Sequence, residues 1–301
     1  MGRLTAIVLG AAAGGGFPQW NCRCAVCRLA WAGDARVKPR TQASLAVSAD
    51  DEHWVLLNAS PDLRAQIHAN PRLHPHDGTR GSPIVAVALT GAEIDQTAGL
   101  LSLREHSPFT LHATAATLAA IADNPMFGAL AADVVSRRAV VPGERFAPGA
   151  GMAAELFMVP GKMPLYLEGN DLDTASESAA NVGVEISNGA ARLAYVPSAA
   201  AITPAVQQRL ARADVIFFDG TLFTDDEMIR AGAGSKTGRR MGHMPLDGPA
   251  GSLAALADLR ARRIFVHINN TNSVLIDGSP ERKRAEAAGW EVAEDGLEVV
   301  L

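Results

Sequence analysis

The chain has 301 residues, 48% of them hydrophobic and 20% charged, with a formal net charge of -5. That apolar content supplies a large core, and a modest charge of mixed sign excludes the electrostatic footprint that nucleic acid or an anionic membrane surface demands. The expected partner is a small molecule. No apolar run approaches the roughly 20 residues needed to span a bilayer, so no membrane insertion is expected.

Leu4 to Leu9 reads as a first strand. Behind Met1-Gly2-Arg3 it imitates a signal peptide, but the stretch is short, is interrupted by glycine, and leads directly into Asn21-Cys22-Arg23-Cys24-Ala25-Val26-Cys27. Three cysteines so close together make no disulfide framework, and the chain has no other cysteine to pair with them. A reducing cytoplasm is the expected setting. Ala43 to Val47 and Trp54 to Leu57 read as further strands, and Ile84 to Leu89 is an apolar run of the kind buried on both faces. Helical spacing follows from Glu93 to Arg104 and again from Thr114 to Ala122, with a short strand, Thr110 to His112, between them.

A second half with the same grammar begins near Met152. Glu155 to Val159, Val182 to Ile186 and Arg192 to Val196 read as strands, the last two joined across Asn188-Gly189, which suits a tight hairpin. Pro204 to Arg212 and Ser252 to Arg260 read as helices, each followed by a strand, Val215 to Phe218 and Ile264 to Ile268. Ser279-Pro280 opens a last helix, serine capping it and proline taking its first position, before a terminal strand pair ending at Leu301. A β-ribbon followed by alternating strands and helices, given twice, predicts an α/β fold. Two mixed β-sheets pack face to face with helices outside, in one domain over residues 1–301. A doubly wound nucleotide-binding sheet is the rival, but Gly10 to Gly16 lacks the G-x-G-x-x-G spacing, and Phe17-Pro18 cannot cleanly open a phosphate-cradling helix.

Cys22, Cys24 and Cys27 sit on a loop where three thiolates can converge on one zinc, which takes four tetrahedral ligands. The loop over residues 17–28 then holds a structural zinc whose fourth ligand comes from His267-Ile268-Asn269-Asn270-Thr271-Asn272 or from water. Polar residues just beyond strand ends mark a second place. Glu93 and Asp95 follow one apolar run, Asp219 follows another, His267 lies within a third, and Gly242-His243 follows the basic stretch Ser235 to Arg240. Together they form a mixed oxygen and nitrogen set suited to Fe(II), Mn(II) or Zn(II). Singly, each has a plainer reading. Glu93 and Asp95 suit a helix N-terminus, Asp219 suits a cap, and His267 suits a satisfied core imidazole. His53, His68, His74, His76, His106 and His112 read as isolated or exposed.

Gly14 to Cys22 (GGGFPQWNC), Asn58-Ala59-Ser60-Pro61-Asp62, Leu100 to Glu105, Met241-Gly242-His243 and His267 to Asn272 (HINNTN) resemble the coenzyme pyrroloquinoline quinone (PQQ) synthesis protein B family. The similarity runs from the first strand to the last. It implies a metallo-β-lactamase-like αββα sandwich. A related phosphonate-pathway cyclic phosphodiesterase carries a similar C-x-C-x-x-C loop, and its fourth zinc ligand falls here on Asn270. The superfamily's H-x-H-x-D-H motif falls on residues 91–96, so that only Asp95 survives and Glu93 stands where a histidine would. The next expected histidine falls near Lys162, and the bridging aspartate near Pro197 or Ser198.

A dinuclear zinc hydrolase needs those groups. The resemblance therefore implies an iron-dependent hydroxylase that oxidises the tyrosine-derived ring of a PQQ precursor, with Glu93, Asp95, Asp219, His243 and His267 as catalytic ligands of one Fe(II). A carrier moving PQQ or its precursor towards the periplasm is the alternative, in which Arg104, Lys236, Arg239 and Arg240 pair with substrate carboxylates. A zinc hydrolase is the third reading. A homodimer is compatible with all three.

Overall fold

The computed structural model describes residues 3–168, 174 and 176–301. Fourteen strands follow one another: β1 Thr5–Gly10, β2 Ser44–Ser48, β3 Trp54–Leu57, β4 Ile84–Ala88, β5 Phe109–Ala113, β6 Val135–Ala139, β7 Arg145–Gly149, β8 Met152–Pro160, β9 Glu177–Ser187, β10 Arg192–Val196, β11 Val215–Asp219, β12 Arg262–Val266, β13 Trp290–Val292 and β14 Glu298–Val300. They form two seven-stranded sheets, in the orders β14-β1-β2-β3-β4-β5-β6 and β13-β12-β11-β10-β9-β8-β7. In each sheet an antiparallel ribbon passes into a parallel set, β3 to β6 in the first and β10 to β13 in the second.

Alternation along the strands explains the layers. Ala6, Val8, Leu45, Leu57 and Ala88 of the first sheet meet Leu156, Val184, Tyr195 and Phe217 of the second in one buried core. Their neighbours Ile7, Leu9, Leu56 and Leu111 point the other way, onto helical segments carrying Leu63 and Ile121. Phe218 and Phe265 do the same in the second sheet, against Leu210, Leu256 and Trp290. Both faces of both sheets are therefore apolar, which is why the central strands read as unbroken apolar runs. Each buried leucine, isoleucine, valine or phenylalanine among them stabilises the fold by about 1.5–3 kcal/mol. This is the expected αββα sandwich of two mixed sheets.

The structure departs from the sequence reading in several places. The spacing from Glu93 to Arg104 gives only a short helix, Ile94–Thr97, followed by a 3-10 segment, Ala98–Leu103. Gly99 packs so closely there that an added Cβ would lie 2.1 Å from the Ser60 carbonyl oxygen, and that approach displaces the regular helix. Ser252 to Arg260 keeps one helical turn, Ser252–Ala255. The last two strands do not pair with each other: β13 joins β12 in the second sheet, and β14 joins β1 in the first. The apolar run through Ile268 stops being a strand at Val266. Strands β6 and β7, with exposed charged residues, went unread because little of either is buried. Among the described residues no helix is long and apolar enough to cross a membrane.

Candidate metal centres

The cysteine loop gathers its three sulfurs on one side. Cys22 and Cys24 accept hydrogen bonds from the backbone N–H groups of Cys24 and Cys27, each at 3.4 Å, so the turn aims the thiols to one side. The three ligand atoms lie within 4.8 Å of one another. Asn270 closes the open side, with Nδ2 3.1 Å from the sulfur of Cys22 and 3.3 Å from that of Cys27. Burial pushes the Cys27 thiol up to about 12, and a neighbouring Cys24 charge adds to this, so a bound cation is what would release that proton. Three thiolates converging on one point supply three of the four tetrahedral ligands that zinc takes, while Asn270, whose Nδ2 donates to the sulfurs, would have to present its Oδ1 to be the fourth.

Three residues before Asn270, the same segment supplies the second centre. Ile268 runs beside the first sheet's extension, its N–H donating to the Ala11 carbonyl at 2.9 Å and its carbonyl accepting from Ala13 N–H at 2.9 Å. This clamp turns the chain sharply at the end of β12, and His267 takes a left-handed φ of 53°. Non-glycine residues pay roughly 1–3 kcal/mol for such a backbone, and here it swings the imidazole into the cleft. Opposite it, Asp95 stands on the short helix after β4. The loop leading there is pinned by Asn58, itself at φ 64°. Its Oδ1 accepts from Thr90 N–H, and its Nδ2 donates to the Thr90 hydroxyl, both at 2.9 Å. That is the structural work of the Asn58 to Asp62 block.

Asp95 Oδ2 lies 2.8 Å from His267 Nε2. Burial works against the Asp95 charge, but the hydrogen bond and charge of His267 outweigh it and hold the carboxyl below its usual range. Burial likewise opposes protonation of His267, and Asp95 and Asp219 overcome it. Behind His267 stands Thr221, whose hydroxyl donates to Asp219 Oδ1 at 2.6 Å and lies 2.8 Å from His267 Nδ1. A hydroxyl that donates to the carboxylate accepts elsewhere, so His267 Nδ1 carries a hydrogen and Nε2 faces the cleft. His243 Nδ1 lies 2.7 Å from Asp219 Oδ2, which fixes the second imidazole in the same way. The two rings stack with centroids 5.1 Å apart. Asp219, at the end of β11, is fully buried and also accepts from the N–H groups of Ala199 and Thr221. Burial raises its carboxyl, but the His243 charge and hydrogen bond bring it below its usual value.

One ligand atom each from Asp219, His243 and His267 lies within 4.8 Å of the others, and Asp95 joins them through His267. The cleft beside them encloses about 240 Å³, lined among others by Gly14, Asp95, Lys162, Lys236, His243 and His267. A mixed set of carboxylate and imidazole atoms at this spacing fits one divalent first-row ion.

Other expected site residues fall elsewhere. Glu93 lines the cleft, but its carboxylate is engaged by Lys162 Nζ at 2.8 Å rather than grouped with the imidazoles. Burial opposes the Lys162 charge, but the hydrogen bonds and charges of Glu168 and Glu93 hold its ammonium above the usual value. Of the four proposed substrate cations only Lys236 stands in the cleft wall. Arg104 turns away, donating to the Leu101 carbonyl at 2.9 Å, because the 3-10 segment aims it outward. Arg239 and Arg240 are exposed, the latter 3.5 Å from Glu168. Thr221 was missed as a site residue. Its signal was the spacing Asp219-Gly220-Thr221, a hydroxyl two residues beyond a strand-end carboxylate.

Two facing mixed sheets with a metal-ligand set at the ends of their parallel strands define a metallo-β-lactamase-type protein. Residues 53–268 match the family described as the beta-lactamase superfamily domain. Coenzyme PQQ synthesis protein B of Methylorubrum extorquens is 56% identical over 296 residues, covering 98% of this chain and 99% of that protein. The corresponding protein of Ruegeria pomeroyi is 52% identical over 295 residues, covering 98% and 99%. The chain belongs to the coenzyme PQQ synthesis protein B family. A crystal structure of Zn(2+)-bound PqqB from Methylobacterium extorquens superposes with a TM-score of 0.96 at 55% identity, covering 98% of this chain and 99% of that one. A diphosphatase of the PhnP family, at TM-score 0.70 and 22% identity, shares the fold.

Proposed function

We propose that the chain acts in PQQ biosynthesis as a hydroxylase of the tyrosine-derived ring of a PQQ precursor, using one Fe(II) in the cleft. The observation that carries this reading is the convergence of Asp95, His243 and His267 on a partly open cleft, with Asp219 and Thr221 orienting the imidazoles. Such a ligand set suits Fe(II) and leaves positions for dioxygen and substrate. Iron would supply the reaction of dioxygen with the ring. A phenol and O₂ together yield an ortho-quinone and water, so the step balances without an external reductant. The chain's own residues bind and orient. Lys236 offers a charge for a substrate carboxylate, and Asp219 holds the His243 ring so that its free nitrogen faces the cleft.

The reading treats residues 1–301 as one domain with its zinc loop at 17–28, because the cleft takes Asp95 from the first sheet and Asp219 and His267 from the second. The cysteine zinc is structural, tying that loop to the segment that bears His267. Purified protein reconstituted anaerobically with Fe(II), then given precursor and air, is expected to consume oxygen and release the ortho-quinone product. Binding of precursor without oxygen uptake would favour a carrier instead. Phosphodiester or lactam turnover with zinc would favour a hydrolase.

A further inference from the structure

The positions at which the superfamily pattern expects histidines, 93 and 162, meet in the structure, and what meets there is an ion pair. Lys162 Nζ lies 2.8 Å from Glu93 Oε1 and 2.7 Å from Glu168 Oε1, with its side chain only 13% exposed. Glu93 also accepts from Leu165 N–H, at 3.2 Å to Oε1. At position 91, where the motif begins, a Cβ would lie 2.6 Å from Gln96 Oε1 and 3.1 Å from the Ala180 carbonyl oxygen. The space from which a histidine would reach into the cleft is closed.

We propose that the Lys162 ammonium, clamped between Glu93 and Glu168, is a built-in cation that stands in place of one metal and restricts the cleft to a single ion. The inference rests on the single-ion reading of the cleft given above. Its physics is simple. Both carboxylates that could hold a second divalent ion are already engaged by the ammonium, and an ion brought beside them meets a fixed positive charge in a poorly hydrated place. Remove the ammonium, and two carboxylates face each other across the vacated space, with only Glu168 keeping a second cation, Arg240, at 3.5 Å. That is an oxygen site for a hard or borderline divalent cation. The lysine thus sets the metal count, while the oxygen chemistry stays with the ion beside Asp95 and His267.

The test is a metal count per chain after equilibration of full-length protein with Mn(II) or Zn(II), by elemental analysis and native mass spectrometry. Wild type is expected to hold one ion at the cysteines and one in the cleft. Lys162→Ala is expected to gain one further ion, Lys162→Arg to gain none, and Glu93→Gln combined with Lys162→Ala to lose the gain. Should Lys162→Ala be unstable without metal, Lys162→Gln keeps a donor for the carboxylates without the charge and carries the same expectation. An unchanged count in both neutral variants overturns the proposal, as does a gain in Lys162→Arg or two cleft ions in wild type. A wild-type cleft that takes no ion at all sinks the hydroxylase reading instead, a result distinct from the others.

Discussion

Asp95 Oδ2 and His267 Nε2 meet at 2.8 Å across 172 positions of sequence. The contact joins the loop after β4 in the first sheet to the end of β12 in the second, so the cleft exists only once the sandwich has closed. The raised imidazole keeps a proton that it donates to the lowered carboxylate. An ion held here would take the place of that proton, with Asp95 and His267 as its ligands. Asp95→Ala and His267→Ala are therefore expected to lose the cleft ion while keeping the cysteine-bound one. Cys24→Ser is expected to lose the zinc of the loop first. Elemental analysis of each variant separates the two centres, and loss of both ions in every variant would contradict their independence.

Thr221 lines the cleft, and its hydroxyl sits between Asp219 and His267. Thr221→Val keeps the shape and removes that link, so cleft-ion affinity is expected to fall by about 10- to 100-fold, as when other groups orienting a metal-bound imidazole are removed. Thr221→Ser should stay near wild type. Competition against a chelating dye reads the difference, and equal affinities for Val and Thr would deny the hydroxyl its role.

Glu227 is buried beneath the same segment, accepting from the Thr271 hydroxyl at 2.6 Å and from Phe223 N–H at 2.7 Å. Burial raises its carboxyl to about 7, against an ordinary 4.5. A raised acid favours the folded state in its protonated form, so its contribution is present below pH about 4.5 and lost as pH rises through about 7. The full swing is on the order of 3 kcal/mol. Relative to wild type, Glu227→Gln should show a flatter decline of melting temperature between those two pH values. Parallel pH profiles would mean that the buried acid stays ionised throughout.

Asn270 places its amide over all three cysteine sulfurs. Asn270→Cys would supply a fourth thiolate, and zinc release to a chelator is expected to slow by roughly tenfold or more. Asn270→Leu should speed it. No change in either variant would leave the fourth position to water.

Gly99 allows the chain to cross Ser60 at close range, where a Cβ would come within 2.1 Å of a backbone oxygen. Gly99→Ala is expected to lower stability by about 2–3 kcal/mol, in the range of overpacked sites. A denaturant melt measures it, and an unchanged midpoint would show that the loop yields freely.

Sequence alone determined what depends on neighbours along the chain. The cysteine loop is such a case, because its N–H groups and sulfurs lie within six residues, and so is the Ser279-Pro280 helix start, whose hydroxyl caps Arg282 N–H. The buried strands were equally legible, since a sheet covered on both faces requires apolar residues at every position. Tertiary structure decided everything that depends on distance between segments. It sent β13 and β14 to different sheets and broke the helix at Gly99 against Ser60. It also drew Glu93 away to Lys162 while bringing Asp95 to His267. A carboxylate has no periodicity to betray its partner. Whether it caps a helix, pairs with an ammonium or faces a metal is settled by which side chain the closing sandwich carries to within three ångströms of it.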